Sequence, residues 1–152
     1  MTREILFRGK RIDNGEWVKG FPYITHGGEH QIRYYDSESN IENCSHTVIP
    51  DTLGRFTGLT DRNSTKIFEG DIIRWHDNTE LSVSGQIAEV CLGKYRDADS
   101  AFDDVYAIGF YLRTSGGECV TICWLDEYKN DFDIIGNIHD TPELLEVSGD
   151  EA

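Results

Sequence analysis

Between Thr47 and Trp75 the chain, TVIPDTLGRFTGLTDRNSTKIFEGDIIRW, is broken too often to form a helix. A helix needs about 10–12 residues free of strong breakers. Pro50, Gly54, Gly58, the run Asp61-Arg62-Asn63-Ser64 and Gly70 leave no such window. What stands between the breaks is β-branched and aromatic, as in Lys66-Ile67-Phe68 and Ile72-Ile73-Arg74-Trp75. Such side chains suit a pleated, half-buried surface. The stretch therefore reads as two β-elements around a turn. In that turn Asp61 and Asn63 bond their own backbone, and Asn63 is the residue suited to positive φ. Gly70 marks a bulge or bend, and Asp71 caps the backbone there.

The same rhythm runs along the rest of the chain. A first strand is expected over Glu4–Arg8, ended by Gly9-Lys10. Asp13-Asn14-Gly15 predicts a hairpin with positive φ at both Asn14 and Gly15. The return strand, Glu16–Lys19, is limited by Gly20 and Pro22. Tyr23–Thr25 and Gln31–Tyr35 form a second hairpin across a Gly-rich loop, His26–His30. Asp36–Asn40 is a polar loop, and His46–Ile49 a strand.

Beyond Trp75, residues Ser84–Leu92 read as a strand with Ile87, Val90 and Leu92 inward if a bulge shifts the register. Lys94–Asp104 is a loop or short helix. Val105–Leu112 and Glu118–Leu125 pair across Thr114–Gly117. Asp126–Asn130 is a loop and Phe132–Ile138 the last strand. Thr141, Pro142 and Glu143 then open a short helix anchored by Leu144 and Leu145. The expected fold is mostly β, about eight to ten short antiparallel strands in twisted sheets or an open barrel, with a short C-terminal helix. One domain spanning residues 1–152 is expected, with any subdomain break near residues 50–62.

Three motifs stand in order. Ile5-Leu6-Phe7-Arg8-Gly9-Lys10 with Gly15-Glu16-Trp17-Val18-Lys19-Gly20 comes first, then Val48–Ile73, then Ile134-Ile135-Gly136-Asn137-Ile138-His139-Asp140-Thr141-Pro142-Glu143-Leu144-Leu145. Together they resemble the YopX family, small proteins of phages and prophages, mostly of Gram-positive hosts. The resemblance covers residues 4 to 145. The family's turn is commonly Asp-Lys-Asn-Gly-Lys, whereas this chain has Asp61-Arg62-Asn63-Ser64-Thr65-Lys66, with Ser64 where Gly is usual and one residue more. The resemblance implies a phage-encoded, mostly β protein that self-associates, and it implies no catalytic residues.

Charge is uneven. Residues 1–76 carry 10 Lys/Arg against 11 Asp/Glu, and residues 77–152 carry 4 against 17, which gives −1 and −13 within a net −14. The acidic half repels phosphate and reads as a solvated face, or as a mimic of nucleic-acid charge. No apolar run approaches the ~18 residues of a membrane span, and Met1–Glu4 lack the apolar region of a secretory signal. A soluble cytoplasmic protein in the host cell is expected, with no membrane partner. The four cysteines, Cys44, Cys91, Cys119 and Cys123, form no Cys-x-x-Cys pair and read as reduced, buried thiols. His26 and His30 are two ligands without a third. The four Asp residues of Asp97–Asp104 lack the central Gly and terminal Glu of a calcium loop. No metal, cofactor or catalytic residue is therefore expected.

Three functional classes follow. The first is a non-enzymatic accessory protein acting by protein contact, as a homo-oligomer or on a phage or host protein. The second is a nucleic-acid-associated β-barrel module, binding through aromatics and cations. For either, the motif residues Arg8, Trp17, Arg55 and Phe56 are the candidate interaction patch. A metal-assisted enzyme built on Asp97–Asp104 is the third and weakest class.

Overall fold

The computed structural model describes residues 4–77, 81, 83–98 and 106–145. The chain forms two compact units, Met1–Gly58 and Leu59–Ala152. It is mostly antiparallel β, and no helix among the described residues is long and apolar enough to cross a membrane.

The first unit holds β1 (Phe7–Lys10), β2 (Trp17–Ile24), β3 (His30–Asp36), β4 (Ile41–Thr47) and the start of β5 (Gly54–Thr60), side by side in the order β4-β3-β2-β1-β5. β1 begins later than the sequence suggests and continues through Gly9. The β1–β2 turn is longer than a two-residue Asn-Gly turn. Lys10 faces Trp17, the Arg11 N–H donates to Glu16 O at 2.8 Å, and of Asn14 and Gly15 only Gly15 has positive φ. Asn14 Oδ1 instead accepts the Glu16 N–H at 2.9 Å.

β2 passes straight through Gly20 and Pro22, which were expected to stop it. The reason is a change of partner. Residues 17–20 pair with β1, and residues 21–24 pair with β3. At the changeover, a Cβ on Gly20 would lie 2.2 Å from the Arg33 carbonyl oxygen, so only glycine lets the backbones come this close. After β4 the chain returns to β1. Arg11 bridges Val48, the Ile12 N–H donates to Thr47 O, and the Ile49 N–H donates to Lys10 O. β1 to β4 thus close on themselves as a small barrel around buried Ile32 and Val48.

The turn that follows β5 is organised by Asp61. Its Oδ1 accepts the N–H groups of Asn63 (2.8 Å) and Thr65 (2.9 Å), and its own N–H donates to Thr65 O. Positive φ falls on Ser64 (65°), not on Asn63. Left-handed backbone costs a residue with a Cβ about 1–2 kcal/mol, part of which glycine loses again through its freer unfolded chain. Ser64→Gly should therefore raise stability by about 0.5–1 kcal/mol, read as a higher urea midpoint. An unchanged or lower midpoint would contradict this account of the turn.

The second unit contains β6 (Lys66–Phe68), β7 (Asp71–Trp75), β8 (Ile87–Tyr95), β9 (Ala107–Thr114), β10 (Cys119–Thr121), helix α1 (Cys123–Glu127) and β11 (Phe132–Asn137). Five strands pair in the order β10-β9-β8-β7-β11. Asp71, buried at the start of β7, accepts the Phe68 N–H on Oδ2 at 2.8 Å, as a backbone cap should. The core gathers Ile67, Ile73, Trp75, Val90, Leu112, Leu125 and Phe132. Trp75 lies edge-on to Phe132 (5.4 Å) and to Trp124 (6.4 Å).

Two expectations fail in this unit. The strand expected over Glu118–Leu125 stops at Thr121 and becomes α1. From Cys123 to Glu127 no residue is β-branched, and a helical turn puts Trp124 and Tyr128 four apart on one side, 6.0 Å between rings. The β8 register runs unshifted, so Ile87 falls on the face opposite Val90 and is half-buried, and Leu92 points out, not in. Ala88 and Val90 fill the core from β8, whereas Leu92 on the same face is 42% exposed.

At the end of β11 a bulge lies between Ile134 and Gly136. A Cβ on Gly136 would meet Thr141 Oγ1 at 2.1 Å. That hydroxyl donates to Asn137 O (3.1 Å) and takes the Asn137 N–H (3.2 Å), so it knits the turn rather than capping the helix. Asn137 Oδ1 accepts the N–H groups of His139 and Asp140. Residues 143–145 are helical.

Candidate functional site

The four patch residues do not form one surface. Arg8 and Trp17 do meet: β1–β2 pairing sets Arg8 diagonal to Trp17, and the guanidinium carbon lies 4.7 Å from the ring centroid. Arg55 sits opposite Phe7, one residue out of step with Arg8, on the other pleat of β1. Phe56 is only 6% exposed, and its N–H donates to Leu6 O at 2.8 Å. Its ring is core, so it offers no contact surface.

Two shallow grooves mark the first unit, of about 350 and 370 Å³. Arg11, Glu16, Trp17, Val18, Lys19, Tyr34 and His46 line one. Phe21, Arg33, Tyr34, Tyr35, Glu42 and Asn43 line the other, so Tyr34 borders both. The Tyr34 and His46 rings stack at 5.7 Å, with the hydroxyl 2.8 Å from His46 Nε2. The Arg33 guanidinium covers the Tyr23 ring at 3.7 Å. Arg11 bonds both Asp13 oxygens, which raises its own pKa and holds the Asp13 carboxyl below its usual value.

The second unit offers a different surface. β8 and β9 pair from Ala88–Thr114 to Tyr95–Ala107, but β7 reaches β8 only at Ile87–Glu89 and β10 reaches β9 only at Tyr111–Arg113. The two strands therefore outrun their neighbours. One face of this ribbon is covered. Cys91, Tyr95 and Tyr111 are buried, the two tyrosine rings stack at 4.6 Å across the Gly93–Gly109 pair, and the Ala98 N–H donates to Cys119 O. The other face carries Leu92, Lys94, Ile108 and a half-buried Phe110. Ile108 is 85% exposed, and Lys94 Nζ lies 4.7 Å from the exposed Tyr106 ring.

Of the cysteines only Cys91 is buried, where burial pushes its thiol up to about 12 and keeps it neutral. Cys44 and Cys119 are half-buried and Cys123 is exposed, contrary to a set of buried thiols. His30 opens β3 rather than lying in the loop with His26. Among the described residues no group of three His, Cys, Asp or Glu side chains is placed to hold a metal ion. Of the Asp97–Asp104 cluster, Asp99, Asp103 and Asp104 lie outside the described residues.

Sequence reasoning missed the β8–β9 face on which Leu92 and Ile108 are exposed. Its signal was present, since Leu92 and the alternating Tyr106, Ile108 and Phe110 are apolar, but alternation alone reads as a core face.

These features define a small antiparallel β-protein whose motif residues hold its turns and close strand crossings. The family model described as YopX protein matches residues 6–146, and the chain belongs to the YopX family. Its fold is shared with a solved structure, "Crystal structure of protein EF1440 from Enterococcus faecalis", at 20% identity and a TM-score of 0.52, over 95% of this chain and 99% of that one. No curated protein matches the sequence.

Proposed function

We propose that this chain is a phage or prophage accessory protein that works without catalysis, in the host cytoplasm, by protein–protein contact, with self-association as its first form. The bare face of the β8–β9 ribbon carries this reading. An isolated two-stranded ribbon is marginal in water, and apolar side chains left open along one face gain by meeting a partner. Fully burying an isoleucine side chain contributes about 1.5–3 kcal/mol. The free cysteines fit a reducing compartment.

Light scattering tests the reading directly. The wild-type chain, 17.3 kDa, should associate at micromolar concentration. Ile108→Lys should weaken that association by about tenfold or more without changing the far-UV circular dichroism. A wild-type monomer throughout would remove self-association. Pull-down of a phage or host protein by wild type and not by Ile108→Lys would then carry the contact role alone.

A further inference from the structure

We infer that the first unit carries a binding site for single-stranded nucleic acid in the two grooves that meet at Tyr34. The argument is independent of the β8–β9 face. Single strands bind without sequence readout where aromatic faces accept stacked bases and cations track the backbone. Both requirements are met on one small barrel. Trp17, Tyr34 and His46 line one groove, and Phe21 and Tyr35 the other, with Tyr34 bordering both. The Tyr34 and His46 rings lie within 27° of parallel and are joined by the Tyr34 hydroxyl, 2.8 Å from His46 Nε2, so the pair is set before any ligand arrives.

Charge points the same way. Lys19 and Arg11 line the first groove and Arg33 the second, against one carboxylate in each, Glu16 and Glu42. Residues 1–58 carry seven Lys/Arg against eight Asp/Glu, net −1. Residues 59–152 carry seven against twenty, net −13. The acid excess thus lies in the other unit's sequence, and the aromatic grooves lie in the unit whose sequence is near neutral. Three cations, with Arg11 bonded to Asp13 and Arg33 laid over Tyr23, make the binding weak and salt-dependent. A log–log salt slope near about −2 is expected, from ~0.7 per phosphate contact on a single strand.

The test is fluorescence anisotropy of end-labelled oligothymidylate and oligouridylate of about 12 nucleotides with the full chain at low salt. Wild type should bind, and binding should vanish at high salt. Tyr34→Ala should weaken it at least about fivefold, the low end of a stacked base. Lys19→Glu, at an exposed strand position, should weaken it as well, which keeps the test valid if Tyr34→Ala fails to fold. Ile108→Lys should bind as wild type does. Absence of binding at low salt, or undiminished binding by folded Lys19→Glu, would overturn the site. Displacement by mononucleotide as effective as by oligonucleotide would overturn the strand and leave a nucleotide pocket.

Discussion

Gly20→Ala should lower the stability of the first unit by about 3 kcal/mol. The added Cβ would fall 2.2 Å from the Arg33 carbonyl oxygen and 3.0 Å from Ile32 Cγ2. A flexible side chain could swing away from such a contact, but a main-chain carbonyl on a paired strand cannot. Moving it means moving β3, which pairs with β2 from the very next residue, Phe21 opposite Arg33. Ile32, fully buried in the barrel, would move with it. Gly27→Ala is the matched control. Its Cβ would meet nothing nearer than Thr25 Oγ1 at 3.9 Å, so a change within about 0.5 kcal/mol is expected. Urea unfolding of both variants decides the matter. Equal midpoints would mean that the close approach of β2 and β3 does not constrain the fold.

Trp75→Ala should cost the second unit about 3–5 kcal/mol, the range for deleting a fully buried aromatic. Trp75 has no exposed surface and touches Phe132 from β11 and Trp124 from α1. Its loss therefore removes ring contacts that pack β11 and α1 onto β7. Trp75→Phe separates shape from chemistry. The indole Nε1 is buried with no hydrogen-bond partner among the described residues, so phenylalanine sacrifices volume but no bond. It should retain more than half of the stability that alanine loses, and keep near-ultraviolet circular dichroism that alanine flattens. Equal losses in the two variants would show that the indole nitrogen does hold the core.

The family motifs now have physical causes. Gly20 permits a strand crossing, Asp61 and Ser64 build a turn, Asp71 satisfies a buried N–H, and Gly136 with Asn137 and Thr141 closes the last loop. Each of these roles is architectural. They explain why motif residues were poor guides to a surface: Phe56 was sought as a contact and lies in the core.

Turns were legible from the sequence because turn chemistry is local. Asp61 bonds residues two and four away, and Gly117 needs only its own φ of 87°. The β character of the chain was legible for the same reason, since breakers and β-branched runs act within a few residues. Strand ends were not. Gly20 and Pro22 look like stops until β3 and β1 are both seen to pair with one strand, and Cys123–Glu127 looks extended until Trp75 is there for Trp124 to meet. Whether an alternating apolar strand faces a core or water depends on what lies across from it. Leu92 and Ala88 share a pleat face, but Ala88 packs in the cluster with Ile73, Trp75 and Val90, and Leu92 lies outside it. The sequence by itself determined a β-protein and where its turns fall, because local backbone preferences do not need a partner. The tertiary structure alone decided which faces are bare and which rings share a groove, because those are properties of pairing between residues far apart in the chain.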